Sequence, residues 1–390
     1  MRFAPNSTAF SAFQRSAENK GKRRLWLPVA LGGSLLFGAC LASLAPEEPA
    51  FRLAPPWVAL GDSDSAQLYL VLPSGDTLPA AAVSWSSSDP SVAQVSADGI
   101  VHSLRRGSTR ITGSGGTTHG TFSGMSQVVV VPAVLVGAGD IGECGSDGPT
   151  TTGDLVARIA GVVFAAGDNA YPDGSSADYA SCYAPTWGRE RERTRPTAGN
   201  HDYHTVDAAG YYDYFGANAG DRGTGYYSYR LGTWHVIVLN SNIPFGPSSV
   251  QQAWLRDDLA QHSSSCSLAY WHHPLFSSGR EGSDTSLASL WQLLEQGGTD
   301  VAITGHDHDY ERFAPQLSDG RPDARGIREF VVGTGGGSLF PMRAPTPNSE
   351  KQIGGEFGVL TLALLPGSYH WSFLRAPDGA TLDSGTTPCH

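Results

Sequence analysis

Positive charge is scarce in this chain. Its 26 Lys and Arg stand against 37 Asp and Glu, a formal net charge of −11. A non-specific nucleic-acid binder needs a basic footprint, so that class is disfavoured and no nucleic-acid partner is expected. Charged residues make up only 16% of the chain and hydrophobic ones 40%, the balance of a globular protein with room for two domains. Methionine and lysine are few, which fits a strand-heavy, exported product, while 48 Gly and 25 Pro make the chain rich in loops. No repeat of solenoid length is visible, and no long amphipathic seam specifies an oligomer.

Cysteine is sparse as well: Cys40, Cys144, Cys182, Cys266 and Cys389. None has the close CxxC spacing of a cysteine zinc site. Cys40 belongs to a leader. Arg15, Lys20, Lys22, Arg23 and Arg24 precede an apolar run from Leu25 to Ala39, the pattern of a secretory signal over residues 1–40. FGAC resembles a lipoprotein cleavage site, which would make Cys40 the lipidated terminus; the alternative is an uncleaved anchor, since the apolar character runs on to Ala45. Membrane attachment is expected only through such a lipid or signal anchor, at the cell envelope or outside it. The four remaining cysteines are even in number, in a compartment where disulfides persist. Of three possible pairings, Cys144–Cys182 with Cys266–Cys389 is favoured, because it staples the C-terminus to a central strand and joins two loops.

Residues 41–54 are rich in Pro and Ala and look like a linker. From 55 to 132 short alternating strands (AQLYLVL, AAVSWSSS, SVAQVS, GIVHSL, STRITGSG, SQVVVV) are separated by Ser, Gly and Asp turns, the signature of a small β-sandwich. VSWSSSDPSVAQVSADGIVHSLRRGSTRITG resembles the bacterial immunoglobulin-like domain of exported proteins, which implies a spacer or adhesive module. His102 and His119 stand alone there and are taken as surface residues. Over 133–390 continuous apolar strands alternate with helical stretches at 150–159, 248–261 and 285–296, and the tail (FGVLTLALL, GSYHWSFLRA, ATLDSG) has the pattern of antiparallel strands. The expected class is α/β, an αββα sandwich.

Five apolar runs end in polar ligand types. AVLVGAGD ends at Asp140, GVVFAAGD at Asp168, RPTAGNHD at Asn200 and His201, SLAYWHHP at His272 and His273, and DVAITGHDHDYER at His306 and His308. Four of the five carry a Gly just before the ligand, which permits a sharp turn and a close approach. Ligands of open α/β sheets gather at the carboxyl ends of strands, so these residues are expected to converge. A carboxylate can bridge two cations, imidazoles suit zinc, iron or manganese, and Asn200 offers a neutral oxygen. Two metals about 3.5–4 Å apart clamp a phosphate and lower the pKa of a bound water that serves as nucleophile.

The ordered set GD, GDNAY, GNHD, HHP and GHDHDYER resembles the calcineurin-like metallophosphoesterases, and within them the purple acid phosphatases, over about residues 134–373. The wider superfamily opens with Asp-x-His, whereas this chain has Asp140, Ile141, Gly142; the purple branch instead uses a tyrosine three residues after the second aspartate, here Tyr171. The resemblance implies one metal on Asp140, Tyr171 and His308, a second on Asn200, His272 and His306, and Asp168 bridging. It implies Fe(III) beside the Tyr171 phenolate and Zn, Fe or Mn in the other site, a net charge of about +2 able to draw a phosphate dianion to an acidic chain. His201 would contact phosphate and protonate the leaving group, with Asp202 orienting it; Asn200 and His273 would also face substrate. The loop beyond HHP reads SSGREGSD, with no histidine, and Arg280 is the substitute candidate.

Other features carry no chemistry. VVGTGGGSL (331–339) lacks the Lys-Ser/Thr and helix of a nucleotide loop and is expected at a strand exit bordering the site. His235 is expected to be a core histidine, RERERTRP (189–196) is only locally basic, and the tyrosines of 209–230 are expected to pack inside. The function expected is an exported dinuclear phosphoester hydrolase of small phosphate esters, an acid-phosphatase-like monoesterase before a phosphodiesterase or nucleotidase; the rival of another class is an inactive surface-binding protein.

Overall fold

The computed structural model describes residues 52–390, except 55–56, 62–64, 73–76, 80–81, 118–119, 131–132, 263, 265 and 377. The signal segment, Cys40, most of the 41–54 linker and His119 lie outside the described residues.

Two β-sheets, packed face to face, organise residues 134–388. One has six strands in the order Thr194–Thr197, Val162–Ala166, Val134–Ala138, Gly358–Leu365, Ser368–Arg375, Thr381–Pro388. The first three run parallel, and the last three add the antiparallel meander expected of the tail. The other sheet has seven strands in the order Tyr227–Leu231, Trp234–Val238, Ser267–Tyr270, Val301–Thr304, Arg328–Val332, Tyr310–Phe313, Ser349–Ile353. Four of these, starting at 234, 267, 301 and 328, are mutually parallel neighbours.

The continuous apolar strands are explained by burial on both faces. Val236, Val238, Leu268, Tyr270, Val301 and Ile303 join Val136, Phe164 and Leu360 in the core between the sheets. Their alternates Ile237, Leu239, Ala269, Trp271 and Ala302 pack instead with Leu255, Leu290, Trp291 and Leu294 of the helices Val250–Gln261 and Ala288–Gln296. The helix Gly148–Ala157 buries Leu155 and Val156 against the six-stranded sheet's side. Helix starts follow capping chemistry: Ser249 accepts from the Gln252 amide at 3.1 Å, and Pro149 stands in the first turn of its helix. All three helices begin or end within about two residues of the expected ranges, as frayed termini allow. The chain thus has the α/β layering expected of it.

The described residues of 52–130 form strands and turns, with no α-helix among them. A four-stranded sheet (Trp57–Leu60, Gly120–Val130, Gly107–Thr117, Val83–Ser87) faces a three-stranded one (Ser65–Gln67, Ile100–Ser103, Ala93–Val95) over Leu60, Leu70, Val101, Ile111 and Val128. Two details differ from the sequence expectation. Arg52–Ala54, expected in the linker, pairs antiparallel with Tyr69–Val71 and buries Leu53. AQLYLVL is not one strand: it divides at Leu68, and its halves pair with Ile100–Ser103 and Arg52–Ala54. His102 is exposed, as expected.

Both favoured disulfides are present, Cys144–Cys182 with Cα atoms 4.9 Å apart and Cys266–Cys389 at 5.5 Å. No helix among the described residues is long and apolar enough to cross a membrane.

The helix-to-sheet core predicts its own test. Trp291 is fully buried, edge-on to Trp271 at 6.2 Å and to Phe276 at 5.5 Å. Trp291→Ala should cost about 3–5 kcal/mol in a denaturant titration. Trp291→Phe should cost much less, because the indole N–H has no hydrogen-bond partner among the described residues. An equal loss for both variants would overturn this account.

Candidate metal centre

The parallel strands of both sheets deliver their polar endings to one place. Asp140, Asp168 and His306 each follow a glycine and adopt a left-handed backbone, with φ of 59°, 47° and 70°. That conformation is uncommon for such residues and concentrates where a site over-determines it. Gly167 and Gly199 show why glycine sits beside the donors. A Cβ on Gly167, itself at φ +86°, would strike the His272 imidazole, and one on Gly199 would strike the Asp168 carboxylate and amide.

Around Tyr171 three groups meet. Its hydroxyl donates to Asp140 Oδ1 at 2.9 Å, lies 3.2 Å from Asp168 Oδ2 and 3.1 Å from His308 Nε2; His308 Nε2 is 3.2 Å from Asp140 Oδ1. Beside them a second group assembles. His272 Nε2 lies 3.0 Å from Asn200 Oδ1, 3.2 Å from His306 Nδ1 and 3.4 Å from Asp168 Oδ2. Asp168 Oδ2 therefore touches both groups. Its other oxygen accepts from the His201 amide at 2.8 Å, and Asp140 Oδ2 accepts from the His306 amide at 2.8 Å.

Backbone carbonyls fix two of the imidazoles. His272 Nδ1 donates to Ala166 O at 2.8 Å and His308 Nδ1 to Ser338 O at 2.7 Å, so each ring turns Nε2 inward. Ser338 belongs to the Gly-rich stretch 331–339, which borders the site as expected. Two sets of three donor residues, Asp140 with Asp168 and His272, and His272 with His273 and His306, hold their donor atoms within 4.8 Å.

The electrostatics follow from burial against charge. Burial opposes protonation of His272, but Asp168 and then Asp140 prevail and carry it up to about 9. His308 is raised to about 9 in the same contest, chiefly by Asp140. Asp168, although buried, is held well below the carboxylate range by His272 and His201. Burial, Asp140 and Asp168 push the Tyr171 phenol well above its usual value. Burial and His272 drive His273 down to about 2, so it stays neutral.

One sequence expectation needs adjustment. Asp202 does not orient the His201 ring. It accepts from the amides of Asn169 and Gly199 at 3.2 and 2.9 Å and from the Tyr179 hydroxyl at 2.6 Å, while His201 Nδ1 pairs with Pro172 O at 2.5 Å. Burial and Asp168 raise Asp202 to about 6, and its role is to brace the loop. Arg280 is exposed, lying over the Phe340 ring at 4.5 Å and 3.5 Å from Glu281. His273 touches His306 ring to ring at 4.4 Å and pairs with Ser241 Oγ at 2.7 Å.

Sequence reasoning missed two neighbours. Phe340 stacks on His308 at 4.5 Å and 11°, and nothing in the Gly-rich run announces it. His204 lies 4.7 Å ring to ring from His201, paired with Asp173 at 3.1 Å; its place three residues after His201 was the available signal. His235 is buried as expected; of the tyrosines of 209–230, Tyr211 and Tyr212 are buried, while Tyr214, Tyr226, Tyr227 and Tyr229 are half-buried.

The family model described as calcineurin-like phosphoesterase matches residues 134–310. The chain is 30% identical over 217 residues to purple acid phosphatase 15 of Arabidopsis thaliana, covering 47% of this chain and 40% of that protein. It is 27% identical over 229 residues to purple acid phosphatase 21 of the same plant, covering 51% and 52%. The chain thus spans about 40% of the length of the first curated relatives it matches. Among solved structures, a purple acid phosphatase from yellow lupin seeds superposes with a TM-score of 0.56 at 17% identity, covering 84% of this chain and 70% of that one. GAP50, the anchor in the inner membrane complex of Plasmodium, superposes with a TM-score of 0.53 at 15% identity, covering 66% and 89%. The chain therefore carries a calcineurin-like phosphoesterase domain over residues 134–310, with purple acid phosphatases among its homologues.

Proposed function

We propose that this chain is an exported, metal-dependent phosphoester hydrolase of the purple acid phosphatase type, acting on small phosphate monoesters. The observation that carries the reading is the double contact of Asp168 Oδ2, 3.2 Å from the Tyr171 hydroxyl and 3.4 Å from His272 Nε2. A carboxylate shared between two donor groups is what a pair of cations requires. The surroundings fit metal: Asp140 and Asp168 are buried and, among the described residues, have no Lys or Arg partner. Buried carboxylates without such partners need a cation or a proton. Asp140, Tyr171 and His308 would hold Fe(III), which suits a phenolate, and Asn200, His272 and His306 would hold Zn, Fe or Mn. When bound, the two ions supply charge for the phosphate oxygens and an activated water.

The chain's own side chains do the rest. His201 is the proton donor to the leaving oxygen: its Nδ1 is engaged by Pro172 O, and its Nε2 faces the centre 3.9 Å from Asp168 Oδ2. His273, neutral and braced by Ser241, and Asn200 border the phosphate position. Arg280 on the Phe340 ring would guide an anionic substrate inward. The leader and the two disulfides support export, with the 55–132 sandwich as a spacer ahead of the 133–390 hydrolase and Cys40 as lipid site.

Three outcomes test this. The full chain, loaded with iron and zinc, should show a broad visible charge-transfer band that Tyr171→Phe abolishes; two bound metals without colour would sink the tyrosinate assignment. His201→Ala should lower kcat on an aryl phosphate by about 10²–10⁴ with metal content unchanged. Turnover by neither chain would favour the inactive binding reading, and turnover of diesters alone the phosphodiesterase or nucleotidase. Zinc binding to metal-free protein at pH 7 should release protons. A histidine raised to about 9 is protonated below that pH and must lose its proton to become a donor, so affinity falls as pH drops below 9. Calorimetry in buffers of different ionisation enthalpy counts those protons, and a buffer-independent heat at pH 7 contradicts the expectation.

A further inference from the structure

A second group of ligand-type side chains lies at the opposite end of the Trp234–Val238 strand from the centre. His235 is six residues before Ser241, a run of about 20 Å in extended chain. Asp258 lies in the last turn of the helix Val250–Gln261, and His262 follows its end, so the two share one helix face. His235 Nε2 is 3.0 Å from Asp258 Oδ2, His262 Nδ1 is 3.0 Å from Asp258 Oδ1, and the rings are 5.0 Å apart. One donor atom from each residue falls within 4.8 Å of the others.

His235 and Asp258 are only 2% and 6% exposed, and Nε2 and Oδ2 pair at 3.0 Å outside ideal hydrogen-bond geometry, an imidazole nitrogen and a carboxylate oxygen side by side. Ser228 Oγ donates to Asp258 Oδ1 at 2.6 Å and fixes the carboxylate with Oδ2 turned to His235. His262 Nδ1 also lies 2.9 Å from the Asp258 carbonyl, which holds the ring beside the carboxylate at the end of the helix. A cavity of 430 Å³, lined by Tyr227, Tyr229, His235 and His262, gives an ion access. The partial negative charge at a helix C-terminus favours a cation there.

We propose that His235, Asp258 and His262 bind one further zinc ion, separate from the phosphate-binding centre. Two imidazoles and one carboxylate are zinc donors, and water completes a tetrahedron. The ion clips the end of the helix to the sheet, so its effect is on stability rather than turnover.

The test counts zinc in the full chain, stripped with a chelator, reloaded with Zn²⁺ alone and freed of loose metal by gel filtration. His262→Ala, an exposed position that does not threaten folding, should bind one zinc fewer than the parent, lose the zinc-dependent part of its thermal stability and keep the parent's hydrolytic rate. Asp258→Asn should lose the same ion. Asp168→Asn, which damages the main centre, should keep it, so failure of the hydrolase reading and failure of this one are distinguishable. Equal zinc content in the parent and His262→Ala overturns the proposal and leaves an ordinary buried His–Asp pair.

Discussion

Everything in the candidate site depends on the burial of one carboxylate that, among the described residues, has no Lys or Arg beside it. Asp168 is 2% exposed, and its charge is balanced only by imidazoles and by backbone and hydroxyl donors. A buried charge is costly unless it is paired and hydrogen-bonded, and Asp168 relies on His272 and His201 for both. The left-handed backbone at Asp140, Asp168 and His306 is the geometric counterpart of that constraint. Each side chain must fold back over its own strand end, and residues such as Gly167 and Gly199 leave the space in which it does so.

The layers supply the rigidity for this. Strands buried on both faces, between the opposing sheet and the helices, cannot slide or tilt without opening a core that is close-packed. Their carboxyl ends are thereby held in register, and the loops that carry Asn200, His272 and His308 inherit that register. Cys144–Cys182 ties the segment after Asp140 to the one after Tyr171. Cys266–Cys389 anchors the chain's end beside the strand that leads to His272.

The legible part of the site was the part written in strand-exit motifs. Asp140, Asp168, Asn200, His272, His306 and His308 all converge, and Tyr171 joins them through contacts to Asp140, Asp168 and His308. The order of ligand types and the glycines beside them are local properties, so they survive in the linear chain. The illegible part consisted of contacts between distant segments. Asp202 binds the loops at 169 and 199 rather than its neighbour's ring. Phe340 covers His308, and Arg280 lies on Phe340. Leu53 completes a core that the Pro-rich stretch around it disguised.

By itself, the sequence determined the α/β layering of residues 133–390, the all-strand character before it and the donor types at five strand ends, because periodicity, glycine placement and residue chemistry are carried one residue at a time. The tertiary structure alone decided which oxygen of Asp168 is shared, which imidazole nitrogens turn inward, and that His235, Asp258 and His262 stand together. Those choices rest on carbonyls and hydroxyls such as Ala166 O, Ser338 O and Ser228 Oγ. Any residue can offer a carbonyl, so only the folded path of the backbone determines where one will be.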